Sequence, residues 1–472
     1  MTMKKIYSKA IMAAFVAVIA AVGASCSSDE EASVPESDGK GLTEISLVVP
    51  PPVADEGSRT TLNPTDKIKW NTNDKAKMGL SRSATTEKIL QSSAMEILKE
   101  DGKTAKFTYV ASSYPATAFY KAFYPITITT DNSSYPPKTE IIGSPSSLPL
   151  GIAIEQVQAE AGETTFGSAS VPMISDLLSD SAANDVEVTD KQAVIQTKMR
   201  ILSSIVAFYI YDSNGAYSTE SVQKVSLLSN TGYVAGITMI DSTVADLPQL
   251  TGSSQLVNVT LSNPFALSGV TSKEQSAPIY LSIIPGGFAG KIVVETDQAY
   301  YTFQFDTPKN FTRAEVKDML LNLSNVQAVR SAKSEVTTPA ITVTSMNRKY
   351  VASNRTQVTL TIKKYNGTDP SGFYVYCVAQ KTVSQLTSSE VVQNGDLYTF
   401  GDSDSESFEL QLDGSVTYKK EVSFTTGTFA FGVVPFDQYG NIGQVKGDNS
   451  WGHATSANPN RNNTFKDSDL IH

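Results

Sequence analysis

Histidine is almost missing from this chain of 472 residues: only His453 and His472 occur, both near the C-terminus and neither at a metal-ligand spacing. Zinc patterns built on paired His or Cys are thereby excluded, and with no Gly-x-Ser-x-Gly elbow a Ser-His-Asp relay is excluded too. Cysteine is equally scarce, at two. If Cys26 is consumed by modification, as argued below, Cys377 has no partner and no disulfide framework exists within the chain. Positive charge is also in deficit, with 38 Lys and Arg against 48 Asp and Glu. No basic stripe with interleaved aromatics is present, so nucleic acid is set aside as a partner. The apolar run at 10–24 falls short of the roughly 20 residues that span a bilayer, and few windows carry a helical period. The carboxylates are numerous but unpaired by any pattern, so the chain is read as no enzyme, with neither cofactor nor metal expected.

What is there begins at the N-terminus. Lys4, Lys5 and Lys9 precede the apolar run, and Gly23-Ala24-Ser25 leads into Cys26. This is a secretory signal peptide (residues 1–25) that ends in a lipobox-like site. Acylation of Cys26 would hold the chain on the outer membrane, stably if several acyl chains are attached. Removing residues 1–25 takes away three lysines and no acid, which moves the net charge from −10 to −13. The next residues, Ser27-Ser28-Asp29-Glu30-Glu31, resemble the acidic export signal of surface-displayed lipoproteins. Residues 26–43 are too poor in large apolar groups to order themselves and read as a tether.

From residue 44 the pattern changes to short runs rich in Val, Ile, Thr, Tyr and Phe, broken by Gly, Pro, Asn, Asp and Ser. The reading is all-β, in tandem antiparallel β-sandwiches. Runs at 45–49, 68–70, 107–110, 201–211, 233–240, 279–284, 292–295 and 300–305 are expected strands. Thr312-Arg313-Ala314-Glu315 fits either a capping box that opens a short helix or a turn that feeds a strand. The polar stretch 179–185 and the segment 326–338 suggest borders, giving a first sandwich at 44–185 and a second at 186–330. A third domain at 336–472 has strand-like runs at 341–344, 358–362, 373–378, 421–424 and 429–434, with turns at Asn366-Gly367 and Asp413-Gly414. Its stretch 429–441 resembles the last hairpin of a fibronectin type III or immunoglobulin-like domain. Cys377, inside the 373–378 run, reads as core packing.

The order of motifs in the first two sandwiches resembles one family. Ser58-Arg59-Thr60-Thr61-Leu62 is followed by Lys67-Ile68-Lys69-Trp70 and Asp74, then by Ala122-Phe123-Tyr124-Pro125 and Val171-Pro172-Met173. Later come Leu202-Ser203-Ser204-Ile205-Val206-Ala207-Phe208, Gly236-Ile237-Thr238, the 277–285 segment and the glycine-led strand at 290–296. The succession, over roughly 44–326, resembles the fimbrillin-like proteins, subunits of lipoprotein-derived (type V) pili. The resemblance implies transport as a lipoprotein, removal of the N-terminal strand by an Arg-specific protease, and acceptance of a strand donated by another pilus subunit. In this chain residues 45–49 would be the removable strand, ended by Pro50-Pro51-Pro52, and the cut would fall between Arg59 and Thr60. An ordinary solvent-facing Arg59 is the alternative. Trp70 is expected in the first core.

The third domain departs from the two-domain pattern and points to a tip or accessory subunit rather than the shaft. The alternative function is a surface lipoprotein that binds a host ligand or glycan without polymerising. For that role Tyr439 and Trp451, in loop-like sequence near the chain end, are the candidate ligand contacts. The acidic run 402–406 lacks the Gly and terminal Glu of an EF-hand and reads as a solvated loop.

Overall fold

The structure is a computed structural model that describes residues 43–50, 70, 78–82, 89–100, 102–111, 119–125, 128–131, 138–141, 147–162, 171–176, 178–179, 186–189, 192–243, 245–379, 386–401, 405–423, 428–452 and 454–465. Strands dominate throughout, and the sheets pair face to face over three apolar cores.

The strand Thr43–Val49 sets Ile45, Leu47 and Val49 on one face and Glu44, Ser46 and Val48 on the other, the period-two pattern of a pleated strand. It lies in the middle of a five-stranded sheet ordered Val186–Thr189, Gln192–Gln196, Thr43–Val49, Ala105–Ala111, Ala94–Ile97. A second sheet, containing Met199–Ile201, Met173–Ser175, Phe119–Tyr124, Gly79–Arg82 and Ile89–Gln91, covers the same core. Trp70 is buried at its centre, with edge-on contacts to Phe107 and Tyr124 at centroid distances of 5.3 and 5.4 Å. Along Phe119–Tyr124 the pleat sends Tyr120, Ala122 and Tyr124 into this core and Phe123 into the next.

The second sandwich has a six-stranded sheet ordered Glu155–Gln158, Leu256–Ala266, Ser221–Ser229, Gly286–Thr296, Ala299–Phe311, Ala328–Ala332. Opposite it stand Ile279–Ile283, Ser204–Tyr211 and Val316–Asn322, the last running parallel to Ser204–Tyr211. The Thr312–Glu315 pattern forms a turn that feeds Val316–Asn322, with the Thr312 amide donating to Glu315 Oε2 at 3.0 Å. Helix is ruled out there because Ala314 takes a left-handed φ of 58°.

The border expected at 185/186 does not coincide with the sheets. Val186–Thr189, Gln192–Gln196 and Met199–Ile201 all pair inside the first sandwich. Conversely, Leu148–Ile152 pairs with Gly236–Ile240, and Glu155–Gln158 runs parallel to Leu256–Ala266 in the second. A composition shift marks a loop, and strand partners are chosen by burial, so the two sandwiches trade strands across it.

That exchange closes an edge. Gln156 and Gln158 share one face of their strand and are both buried. Gln156 accepts from the Ser282 amide at 2.9 Å and donates to the Ser282 carbonyl at 2.8 Å. Gln158 accepts from the Tyr280 amide at 2.8 Å and donates to the Pro278 carbonyl at 3.3 Å. Two side-chain amides thus supply what a neighbouring strand's peptides would offer to Ile279–Ile283.

In the third domain a five-stranded sheet (Phe408–Leu410, Val416–Ser423, Arg355–Lys364, Ile341–Ala352, Asn460–Thr464) packs on a four-stranded one (Asp396–Thr399, Gly372–Ala379, Thr428–Phe436, Lys446–Gly452). Asp413-Gly414 makes the turn of a hairpin: Gly414 has φ +77°, and Asp413 Oδ1 accepts from the Ser415 amide at 3.0 Å. A short helix, Ser388–Asn394, is capped by the Thr387 side chain, which accepts from the Glu390 amide at 3.1 Å.

The four-stranded sheet is buried on both faces. Phe373, Val375, Cys377, Phe431 and Val433 point into the third core, whereas Tyr374, Ala430, Val434 and Phe436 join the core of the second sandwich. The helix adds Val391 and Val392 to the same contact. Such two-sided burial explains why the runs 373–378 and 429–436 read as nearly continuous apolar sequence rather than as alternation.

Replacing Trp70 with Ala removes the aromatic at the centre of the first core and should cost about 3–5 kcal/mol, the usual range for a buried Trp or Phe. Chemical-denaturation midpoints of the variant and the parent chain measure it, and a loss below about 1 kcal/mol would contradict the central place given to this residue.

Candidate functional site

The first candidate is the slot that holds the N-terminal strand. Thr43–Val49 is bonded along both edges: antiparallel to Ala105–Ala111, with Leu47 opposite Phe107, and parallel to Gln192–Gln196, with Leu47 opposite Ile195. Ile45, Leu47 and Val49 are fully buried. Their burial alone is worth about 5–9 kcal/mol at roughly 1.5–3 kcal/mol per side chain. Loss of this strand without replacement would bare an apolar groove and two rows of backbone N–H and C=O groups. At Pro50 the chain lacks the amide that could continue the ladder. Cys26, Arg59 and Thr60, the expected lipidation and processing positions, lie outside the described residues, as do 402–404 of the acidic run.

The second candidate is the junction of the second and third domains, where the structure places Tyr439. Asp437 shapes this loop: its Oδ1 accepts from the amides of Tyr439 at 2.8 Å and Asn441 at 2.9 Å. Gly440, at φ +79°, presses so closely on Ser226 that an added Cβ would come within 2.7 Å of that side chain. Tyr439 stacks on Tyr300 of the second sandwich, with centroids 4.7 Å apart and planes at 24°. One ring face is therefore occupied within the chain, which counts against the expected ligand role of Tyr439. Trp451 lies on the edge strand Lys446–Gly452, opposite Phe429, and its side chain is outside the described residues.

A charged network on the second sandwich reaches the same junction through Lys224 and Tyr300. Glu295 pairs with Lys224 at 2.8 Å and with Lys333 at 2.6 Å. Lys224 also donates to Asn441 Oδ1 at 3.1 Å, and Asn441 Nδ2 donates to the Tyr300 hydroxyl at 3.1 Å. Burial pushes the Glu295 carboxyl up, but the two ammonium groups outweigh it and hold the group below the ordinary carboxylate range. Asp437 is moved the other way, upward, because burial exceeds the pull of its Asn441 and Tyr439 hydrogen bonds and of Lys224. Burial pushes the Tyr300 hydroxyl up to about 12, with Glu295 adding to the shift, so it stays protonated. None of these contacts was legible in the sequence, because Lys224, Glu295 and Asn441 are far apart in the chain and share no motif.

The junction is held by ring stacking, hydrogen bonds and close backbone packing. Cys377 is buried in the third core, and burial pushes its thiol up to about 12. Among the described residues no cluster of three His, Cys, Asp or Glu side chains is arranged to hold a metal ion. Among them, too, no helix is long and apolar enough to cross a membrane.

No protein-family model and no curated protein matches this chain. Similar solved structures include a candidate cell adhesion protein of Bacteroides ovatus, 12% identical, which covers 62% of this chain and 96% of its own at a TM-score of 0.34. A candidate cell adhesion protein of Bacteroides uniformis is 10% identical over 62% of this chain and 96% of its own, at 0.32. A fimbrial assembly protein of Parabacteroides distasonis is 8% identical over 70% of this chain and 97% of its own, at 0.23. Superpositions at these scores fix neither topology nor role.

Two outcomes test the junction and the third core. Glu295→Gln should destabilise the chain by about 1–3 kcal/mol at pH 7, since it leaves two half-buried lysines without their acid. A carboxylate whose folded value is depressed stabilises above its ordinary value, here 4.5, and loses that contribution as pH falls. Unfolding midpoints of parent and variant should therefore draw together as pH falls from 4.5 through the lower folded value; a gap that does not narrow over that fall contradicts the network's role. Cys377, with so little thiolate, should resist iodoacetamide at pH 8 until the chain is unfolded, as read by site-resolved mass spectrometry.

Proposed function

We propose that this protein is a surface lipoprotein that serves as a structural and adhesive component of a lipoprotein-derived pilus, in a tip or accessory position, assembled by donor-strand exchange. The observation that carries the reading is the placement of Thr43–Val49: the first strand after the tether lies in the middle of its sheet, with Ile45, Leu47 and Val49 fully buried and both edges hydrogen-bonded. A strand in that position, linked to the rest only through the segment that contains Arg59, is removable in principle by one cut. The vacated slot offers a second strand the same apolar pockets and the same two backbone ladders. Acyl chains on Cys26 then serve transport, and they leave with the strand if the cut is made.

The third domain supports a terminal position. It follows the second sandwich in the chain and packs on it through the helix Ser388–Asn394 and the outer face of Gly372–Ala379. The last strand of the second sandwich, Ala328–Ala332, is paired with Ala299–Phe311 and runs on into the docked domain, so it is not free to be donated to another subunit.

Treatment with an Arg-specific protease should cut between Arg59 and Thr60, and the cut chain should take up a labelled synthetic peptide of residues 43–49 while the uncut chain does not. Arg59→Ala should abolish both the cut and the uptake, and should keep the protein out of fibres on cells. A cut chain that unfolds without accepting the peptide, or an Arg59→Ala chain that still enters fibres, removes the basis of the reading.

A further inference from the structure

Between the second and third domains lies a cavity of about 180 Å³ that the network around Tyr439 leaves open. It is smaller than the roughly 300–1,000 Å³ of drug-sized sites, a scale that suits a single sugar ring or a comparably small group. The second sandwich contributes Asn230, Gln255, Lys291 and Gln304 to its wall, and the third domain contributes Thr399 and Gln438.

The chemistry of this wall is unusual for a domain junction. Among the described residues, no side-chain hydrogen bond or ion pair engages the amides of Asn230, Gln255 and Gln438 or the Lys291 ammonium. Gln304 donates to Asp306 at 2.9 Å and keeps its carbonyl oxygen available. Thr399 Oγ1 is buried with no hydrogen-bond partner, a condition that folded proteins ordinarily avoid. Leu256 and Phe436 add apolar lining to the cavity. Among the described residues the only charge on the wall is Lys291 and no carboxylate lines the cavity, in a chain whose overall balance is −10.

Local backbone geometry sets that lysine in place. The ladder between Gly286–Thr296 and Ala299–Phe311 slips at Phe288/Gly290, immediately before Lys291. Gly290 adopts φ +146°, and a Cβ there would lie 2.1 Å from the Leu228 carbonyl oxygen, so only glycine fits the bulge. A bulge of this kind re-aims the side chains that follow it.

We propose that this cavity binds one carboxylate-bearing sugar ring of the uronic acid type. Each unengaged amide offers a donor and an acceptor in one plane, which matches adjacent hydroxyls that can serve as either. The apolar lining from Leu256 and Phe436 suits the C–H groups of a pyranose, and Lys291 supplies the counter-charge for the carboxylate. The site is independent of strand exchange: it lies between the second and third domains and is complete in the uncut chain.

The test is titration of the uncut full chain with glucuronate, glucose and acetate, followed by calorimetry, with the same titrations on Lys291→Gln and Gln255→Ala. Saturable glucuronate binding is expected, with glucose at least about tenfold weaker and each substitution reducing glucuronate affinity about three- to tenfold. Unchanged thermal unfolding of the variants shows that they fold. The proposal is overturned by absence of saturable glucuronate binding, by acetate binding as tightly as glucuronate, or by binding that both substitutions leave unaltered. Because nothing in this titration depends on Arg59 or on fibre entry, its failure leaves the strand-exchange reading untouched, and the converse holds.

Discussion

Backbone groups at the edges of sheets must find partners, and that single requirement organises this molecule. The first sheet depends on the N-terminal strand between Ala105–Ala111 and Gln192–Gln196 to satisfy both neighbours. In the second sandwich Gln156 and Gln158 lend their amides to the edge of Ile279–Ile283. The two solutions differ in permanence. The Gln156 and Gln158 amides belong to a strand inside the second sandwich, whereas Thr43–Val49 is the proposed exchangeable strand.

Apolar burial on both faces of a sheet then joins the parts. Phe119–Tyr124 feeds the first and second cores from its opposite faces, and the sheet containing Gly372–Ala379 does the same for the second and third. Three sandwiches in sequence order thereby become a continuous packed series. Polar contacts such as Lys224 and Tyr300 with Asn441, and Asn258 with the Gly440 carbonyl, set register at the last junction, where an apolar contact alone would tolerate sliding. Around that fastening the surfaces do not meet fully, and a cavity with unengaged amides is left.

Much of the strand pattern was readable from residues alone. The runs 107–110, 279–284 and 358–362 became strands close to their expected limits, because alternation or continuous apolar sequence leaves little choice once one or both faces are buried. Asp413-Gly414 read correctly as a hairpin turn because its chemistry is local. Thr312–Glu315 fitted a helix or a turn equally well, and the parallel partnership of Val316–Asn322 with Ser204–Tyr211 decided between them. The border at 185/186 was misplaced because a polar loop looks the same whether it joins two strands of one sandwich or two domains. Tyr439 seemed an exposed loop aromatic, and its stacking partner, Tyr300, lies 139 positions earlier.

The order of residues determines what depends on short-range chemistry: the all-β character and turns such as Asp413-Gly414; the signal peptide and Cys26 are expectations of the same local kind. It also places an apolar strand, a run of prolines and an arginine in succession, which is enough to suggest a removable element. Which strands pair, which sheets are covered on both faces, and that glutamines can stand in for a strand were decided only in three dimensions. The reason is physical: a pleated strand states which face wants burial but not who will bury it, and that choice rests on packing between segments more than a hundred residues apart.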